Sequence, residues 1–281
     1  MKIIHLSDTH LGASVLDERF ERIVDDLTRL RPLNPDNHLI IHTGDLIHQA
    51  TRENRAAARL RLDRFRAFGY QVLLCPGNHD YGGSLSVNPQ AACDFQETFS
   101  DYIFPDKKAR NFPSLYLRDD CAFIGLDSNA AELRGLDRFF AEGHLGKAQL
   151  AKLNMLLDSE LVQGKKIVLF LHHHPFFFGY SVSPDLGDGK VFAHLFARLT
   201  RAFRRLKDAY SFCRIVRDRA HVLLFGHMHY GLDCSGESIK YGIPLALDGG
   251  STTCAESGED RMRYRIIDLE NMTQEIRFLK L

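Results

Sequence analysis

Short apolar runs that end in polar clusters recur along this chain. Lys2-Ile3-Ile4-His5-Leu6 opens it, His38-Leu39-Ile40-Ile41-His42 follows, and Gln71 to Cys75 makes a third. Runs of this length, rich in β-branched residues and bounded by turn formers, read as strands. Between them apolar residues return at helical spacing: Phe20, Ile23, Val24, Leu27 and Leu30 predict a helix from about Asp17 to Arg31, closed by Pro32 and Pro35. A second helix, rich in Arg and Ala, is predicted from Arg52 to Phe68. Farther along, Leu115 to Arg118 and Ala122 to Leu126 read as a hairpin, Gly146 to Val162 as an amphipathic helix, and Lys166 to Leu171 as a buried strand. Helical patterning then runs from about Val191 to Arg219, Val222 to Phe225 is a strand, and strand-like runs close the chain at Arg263 to Leu269 and Gln274 to Leu281. The repeated order of strand, loop and helix predicts an α/β fold with function at the carboxyl ends of the strands. No linker-like shift in composition and no internal repeat interrupts residues 1–281. One domain is therefore expected, with a second sheet made from the C-terminal strands.

Composition narrows the possible partners. Thirty-six basic and 36 acidic residues cancel, so no whole-protein field draws in nucleic acid or membrane, and no stable nucleic-acid partner is expected. No apolar run approaches the ~20 residues of a membrane span. Six cysteines are scattered without a C-x-x-C pair, which fits reduced thiols in a cytoplasmic protein better than a disulfide framework or a zinc ribbon.

Five of the polar clusters that follow strands are rich in metal-ligating groups. They are Asp8-Thr9-His10, Gly44-Asp45, Gly77-Asn78-His79-Asp80, His172-His173-His174 and Gly226-His227-Met228-His229. In D-x-H and H-x-H, alternate side chains leave one side of an extended segment, so two donors can grip one region of space. Mixed oxygen and nitrogen donors suit Mn, Fe, Zn or Co better than Ca or Mg, and the lack of cysteine argues against a structural zinc site.

This ordered set resembles the signature of the calcineurin-like metallophosphoesterase superfamily: D-x-H, GD, GNH[DE], a histidine, then GH-x-H. The blocks run from Asp8 to His229. The resemblance implies a four-layer sandwich of two mixed β-sheets with helices outside. It also implies two divalent ions, with manganese the first choice to support activity. The first would take Asp8, His10 and His229, the second Asn78, His172 and His227, and Asp45 would bridge them. Two ions ~3.5–4 Å apart lower the pKa of a bound water and clamp phosphoryl oxygens, so a metal-held hydroxide would attack phosphorus. His79 takes the family's role of proton donor or phosphate partner, and Asp80 is expected to orient it by hydrogen bonding.

The segment between His172 and His227 is long. It starts with Phe176-Phe177-Phe178, and its predicted helix carries apolar residues on one face and Arg198, Arg201, Arg204 and Arg205 on the other. A cap-like excursion over about 176–219 is one reading, with His173, Phe176, Phe177 and Arg198 meeting substrate and the 192–210 helix touching lipid. A core helix with a solvated basic face is the other. The closing Asp248-Gly249-Gly250-Ser251-Thr252-Thr253 stretch looks most like the branch that cleaves small diesters such as cyclic nucleotides or glycerophosphodiesters. The Phe-rich excursion instead echoes lipid-linked pyrophosphatases of the UDP-2,3-diacylglucosamine hydrolase type, and Asp8-Thr9-His10-Leu11-Gly12 resembles the superfamily's DNA nucleases. Metal-free scaffold members, as in the retromer coat, have typically lost ligands that are all present here. The GDxVDRG pattern of protein phosphatases is absent, since Gly44-Asp45 is followed by Leu46-Ile47-His48-Gln49.

Overall fold

A computed structural model of the chain describes residues 1–83, 86–106, 110–130, 142–176, 206–254 and 261–281. The first strands are β1 (Lys2–Leu6), β2 (His38–His42) and β3 (Gln71–Leu74), followed by a small ribbon of β4 (Gly82–Gly83) and β5 (Ser86–Val87). Then come β6 (Ser114–Arg118), β7 (Cys121–Gly125), β8 (Lys166–Phe170), β9 (Val222–Phe225), β10 (Leu245–Asp248), β11 (Arg261–Asp268) and β12 (Thr273–Lys280). Helices are α1 (Ser14–Asp25), α2 (Arg52–Phe68), α3 (Pro89–Thr98), α4 (Ser100–Ile103), α5 (Gly146–Leu157), α6 (Ala209–Val216) and α7 (Ser235–Ser238).

Two five-stranded sheets result, ordered β12-β11-β1-β2-β3 and β10-β9-β8-β7-β6. In the first, β1, β2 and β3 are parallel and β11 runs antiparallel to β1. In the second, β7 to β10 are parallel and β6 is antiparallel to β7. Both sheets are therefore mixed. Alternation along each strand assigns its two faces. Ile3, Leu39, Ile41 and Leu73 of one sheet meet Phe123, Val168, Phe170 and Leu224 of the other in a shared inner core. On the outer faces, Ile4, Ile40 and Val72 pack against Phe20, Leu62 and Phe65, while Ile124, Leu169 and Leu223 pack against Leu153, Phe212 and Val216. The layers run helix, sheet, sheet, helix, which is the four-layer α/β sandwich with two mixed sheets that the resemblance implied.

Several predicted elements are revised. The C-terminal strands do not make a second sheet: β11 and β12 extend the first sheet beside β1, and the second is built from the middle of the chain. The cause is register, because Ile267 and Ile266 pair with Ile3 and Ile4 and continue both faces of β1. The first helix starts at Ser14, three residues earlier than predicted, and ends in a π-helical turn over Asp26–Leu30. The helix predicted to Val162 stops at Leu157. Of the helix predicted from Val191 to Arg219, residues 191–205 lie outside the described residues. In the described remainder Leu206 forms a parallel bridge to Gly143 and a turn at 207–208 precedes α6, so the run is not continuous. Tyr210, in the first turn of α6, is 72% exposed.

Candidate metal centre

The fold brings the five polar clusters to one edge of the sandwich. β1, β2 and β3 are parallel neighbours, so the loops after them lie side by side, and β8 and β9 deliver two more loops from the facing sheet. Backbone bonds fix the first pair: Asp8 N donates to Gly44 O at 3.0 Å and His10 N to Asp45 O at 3.0 Å. Between the sheets, His227 N donates to Asp8 Oδ1 and Oδ2 at 3.1 and 3.0 Å. Asp8, His10, Asp45, His227 and His229 all have φ between 48° and 74°. This is the left-handed region, which Asp and His tolerate better than branched residues do, at a cost of order 1–3 kcal/mol each. The cluster is held in that conformation by the surrounding fold.

Among the described residues three groups of donor atoms result: His10, His48 and His79 make one, and the expected ligands make two more. Asp8, His10 and His229 form one: His10 Nε2 lies 3.1 Å from His229 Nε2, and His229 Nε2 lies 3.2 Å from Asp8 Oδ1. Asp45, His172 and His227 form the other, joined by Asn78. His172 Nε2 is 3.2 Å from Asn78 Oδ1, 3.2 Å from His227 Nδ1 and 3.3 Å from Asp45 Oδ2. Asp45 Oδ2 is also 3.9 Å from His10 Nε2, so its carboxylate lies between the groups.

These donors fit a cation by their own chemistry. His172 Nδ1 is 2.8 Å from the carbonyl of Thr43, an acceptor, so Nδ1 carries the proton and neutral His172 turns a lone pair inward at Nε2. That lone pair faces an amide oxygen, a carboxylate oxygen and another imidazole nitrogen. Separations of 3.2–3.3 Å match the edges of a polyhedron whose ligands sit ~2.0–2.2 Å from an ion. His227 Nε2 and His10 Nδ1 are buried with no hydrogen-bond partner among the described residues, consistent with rings placed for their other nitrogens.

The donors also set one another's charge. Burial works against a charge on His172, yet the Asp45 carboxylate pushes its pKa up to about 9. Burial also works to raise Asp45, but His172 and then His79 hold it well below the usual carboxylate range. Burial pulls His10 down to about 3, leaving a neutral imidazole ready to ligate.

His79 and Asp80 border the expected ligands without belonging to them. His79 Nδ1 lies 2.8 Å from the backbone oxygen of His48, and its N–H donates to Asp45 Oδ1 at 2.9 Å. The ring meets that of His10 edge-on at 4.6 Å. Asp80 does not orient His79. Fully buried, it accepts from Ile47 N at 3.0 Å and Gly77 N at 2.8 Å, and so ties the loops after β2 and β3 together. The orienting acceptor is the His48 carbonyl, which sequence spacing could not reveal.

Of the expected substrate contacts, Phe176 is buried in the outer core, 5.9 Å from the ring of Phe225 and stacked on Tyr241. Its apolar ring gains more from that packing than from the site edge. His173 is fully buried, with its ring 4.5 Å from that of His227, so it supports a donor rather than presenting a surface to substrate. Phe177 and Arg198 lie outside the described residues.

Asp248, at the end of β10, is fully buried, and Oδ2 has no hydrogen-bond partner among the described residues. Burial raises its pKa to about 7. A raised folded pKa means that the folded state binds the extra proton, so this contribution is complete below the unfolded pKa near 4 and is lost as pH rises to about 7. In metal-stripped protein, Asp248→Asn is therefore expected to stabilise the fold at pH 8, on the order of 2–4 kcal/mol, and to give little at pH 4. Urea denaturation at both pH values checks this, and an equal effect at both would reject it.

A family model described as calcineurin-like phosphoesterase matches residues 1–231. The DNA double-strand break repair protein Mre11 of Sulfurisphaera tokodaii is 27% identical over 177 residues, covering 61% of this chain and 40% of that protein. A probable glycerophosphodiester phosphodiesterase, GpdQ of Arcobacter nitrofigilis, is 26% identical over 182 residues, covering 62% of this chain and 58% of that protein. The chain thus matches less than two thirds of the length of either relative. Among solved structures, a dimetal phosphatase from Danio rerio superposes with a TM-score of 0.59 at 12% identity, over 100% of this chain and 98% of that one. At that identity the likeness speaks for the fold.

Proposed function

Because this chain belongs to the calcineurin-like phosphoesterase family, we propose that it is a metal-dependent phosphodiesterase with a binuclear centre acting on a small diester. Asp8, His10 and His229 would hold one ion, Asn78, His172 and His227 the other, and Asp45 both. The observation that carries the reading is the convergence of acceptor atoms on His172 Nε2, an arrangement that only a shared cation or proton relieves. When bound, two ions supply an activated water and neutralise charge on the phosphoryl oxygens.

The chain's own residues do the rest. Asp45 Oδ1 is engaged by His79 N, which fixes the carboxylate's rotation and leaves Oδ2 toward the donors. The partly exposed His79, with Nδ1 taken by the His48 carbonyl, has Nε2 left for substrate. In its imidazolium form that nitrogen protonates a departing alkoxide. Similarity to a glycerophosphodiesterase and the absence of the protein-phosphatase pattern favour a diester. Similarity to Mre11 supports a second reading, cleavage of DNA phosphodiesters.

The test is hydrolysis by protein stripped of metal and resupplied with manganese. The substrates are bis(p-nitrophenyl) phosphate, p-nitrophenyl phosphate and a short DNA duplex. Manganese-restored cleavage that favours the synthetic diester is expected. Preference for the monoester would reject the diesterase reading, and faster processing of the duplex would transfer the assignment to nuclease.

A further inference from the structure

Three consecutive polar residues after β7 take no part in the chemistry above, yet Asp127, Ser128 and Asn129 are 2%, 0% and 1% exposed. β7 neighbours β8, so their loop stands beside the one carrying His172. Each residue reaches a different part of the second-ion half. Asp127 Oδ2 accepts the hydroxyl of Tyr81 at 2.9 Å, just past the turn that carries Asn78 and His79. Asn129 Nδ2 donates to Pro76 O at 3.3 Å, just ahead of that turn. Ser128 Oγ accepts the backbone N–H of His173 at 3.2 Å and lies 2.7 Å from its ring Nδ1. The His173 ring in turn lies 5.0 Å from that of His172 and 4.5 Å from that of His227.

The three residues are themselves anchored. Gln149 of α5 accepts from Asp127 N at 2.9 Å and donates to Asp127 O at 2.8 Å. Asp127 Oδ1 accepts from Asn129 N at 2.8 Å, which sets the turn between them. The first-ion half is braced from elsewhere. Ser251 Oγ donates to Asp8 O at 2.8 Å, Thr253 Oγ1 donates to Thr9 O at 2.9 Å, and Ser7 N donates to Thr252 Oγ1 at 3.0 Å.

We propose that Asp127, Ser128 and Asn129 form a positioning bracket that sets the affinity of the second ion separately from the first. The proposal rests on the binuclear reading above. Its physics is that of outer-shell support: donors spaced for one ion keep that spacing only while the loops carrying them are held, and losing such a partner typically weakens metal binding 10–100-fold. The bracket grips the Asn78 turn on both sides and the His172 loop at the next residue. Losing the Asn129 side chain would also leave the buried Pro76 carbonyl without its donor, which favours a shifted loop.

The experiment is a manganese titration of the metal-stripped full chain by calorimetry, with electron paramagnetic resonance to distinguish a lone ion from a coupled pair. Ser128→Ala and Asn129→Ala are expected to weaken the second step ~10–100-fold, leave the first unchanged, and replace the coupled signal by that of a lone ion. Tyr81→Phe keeps the buried ring and removes only the hydroxyl, so it decides the matter if either alanine variant fails to fold. Variants that keep the second step, or that weaken both steps equally, overturn the bracket while leaving the binuclear reading intact. A parent protein that takes up only one manganese overturns both.

Discussion

Asp45→Ala is expected to remove phosphodiester hydrolysis by more than about 10⁴-fold, while His79→Ala costs the ~10²–10⁴-fold typical of one proton transfer. The ranking follows from what each side chain holds. Asp45 Oδ2 is 3.3 Å from His172 Nε2 and 3.9 Å from His10 Nε2, so its loss removes the carboxylate placed between the two donor groups. Oδ1 also accepts the N–H of His79, so the same truncation frees the turn that carries the proton donor. The side chain of His79 meets the donor set at its edge, against the ring of His10. Its loss should therefore shrink with a leaving group that needs no proton, such as p-nitrophenolate, whereas the loss from Asp45→Ala should not. Kinetics on an activated and an alkyl diester, with manganese stoichiometry on both variants, check this. Parent-like activity in Asp45→Ala would reject the two-ion model.

The donor set was legible because it sits where the fold puts function, in short loops directly after strands, so that five motifs mark five strand ends. Periodicity put Asp8, Asp45 and Asn78 just after strands, and the family resemblance grouped them as ligands. The pairing of strands far apart in the chain was not legible. β11 joins β1 across some 260 residues, and nothing local to Arg261–Asp268 distinguishes that partner from another strand. α3 was missed although its start is written in the sequence: Asn88 caps it, accepting from Gln90 N at 2.8 Å, and Pro89 fills the first turn. Asp127, Ser128 and Asn129 are turn-forming residue types, and their burial depends on the loops after β3 and β8 and on Gln149 of α5. Asp80 was given the right neighbourhood and the wrong partner, because an adjacent histidine in sequence is no guide to where a carboxylate points.

Gly226→Ala is expected to lower activity by at least about 10²-fold, the scale of an ångström-sized misplacement of a reacting group. Backbone freedom is not the reason, since Gly226 is absent from the residues with positive φ. The constraint is closeness: a methyl group at Gly226 would overlap Ser7 Oγ and Asp8 Oδ2. Asp8 cannot yield easily, because its carboxylate also accepts from His227 N, and its own carbonyl is held by Ser251. The strain therefore either moves the Asp8 carboxylate away from His229 or lifts the strand end that bears His227. Overpacking of this kind costs ~1–3 kcal/mol of stability. The first manganese site should weaken together with activity, because Asp8 and His229 belong to one donor group. Gly77→Ala supplies the matched comparison: its methyl group would overlap Asp45 Oδ1 and N, so both manganese steps should weaken there. Manganese titration of the two variants beside the parent decides it. If Gly226→Ala keeps the parent's first-step affinity and rate, Asp8 can shift without cost and the tight contact between the two sheets does not set the site.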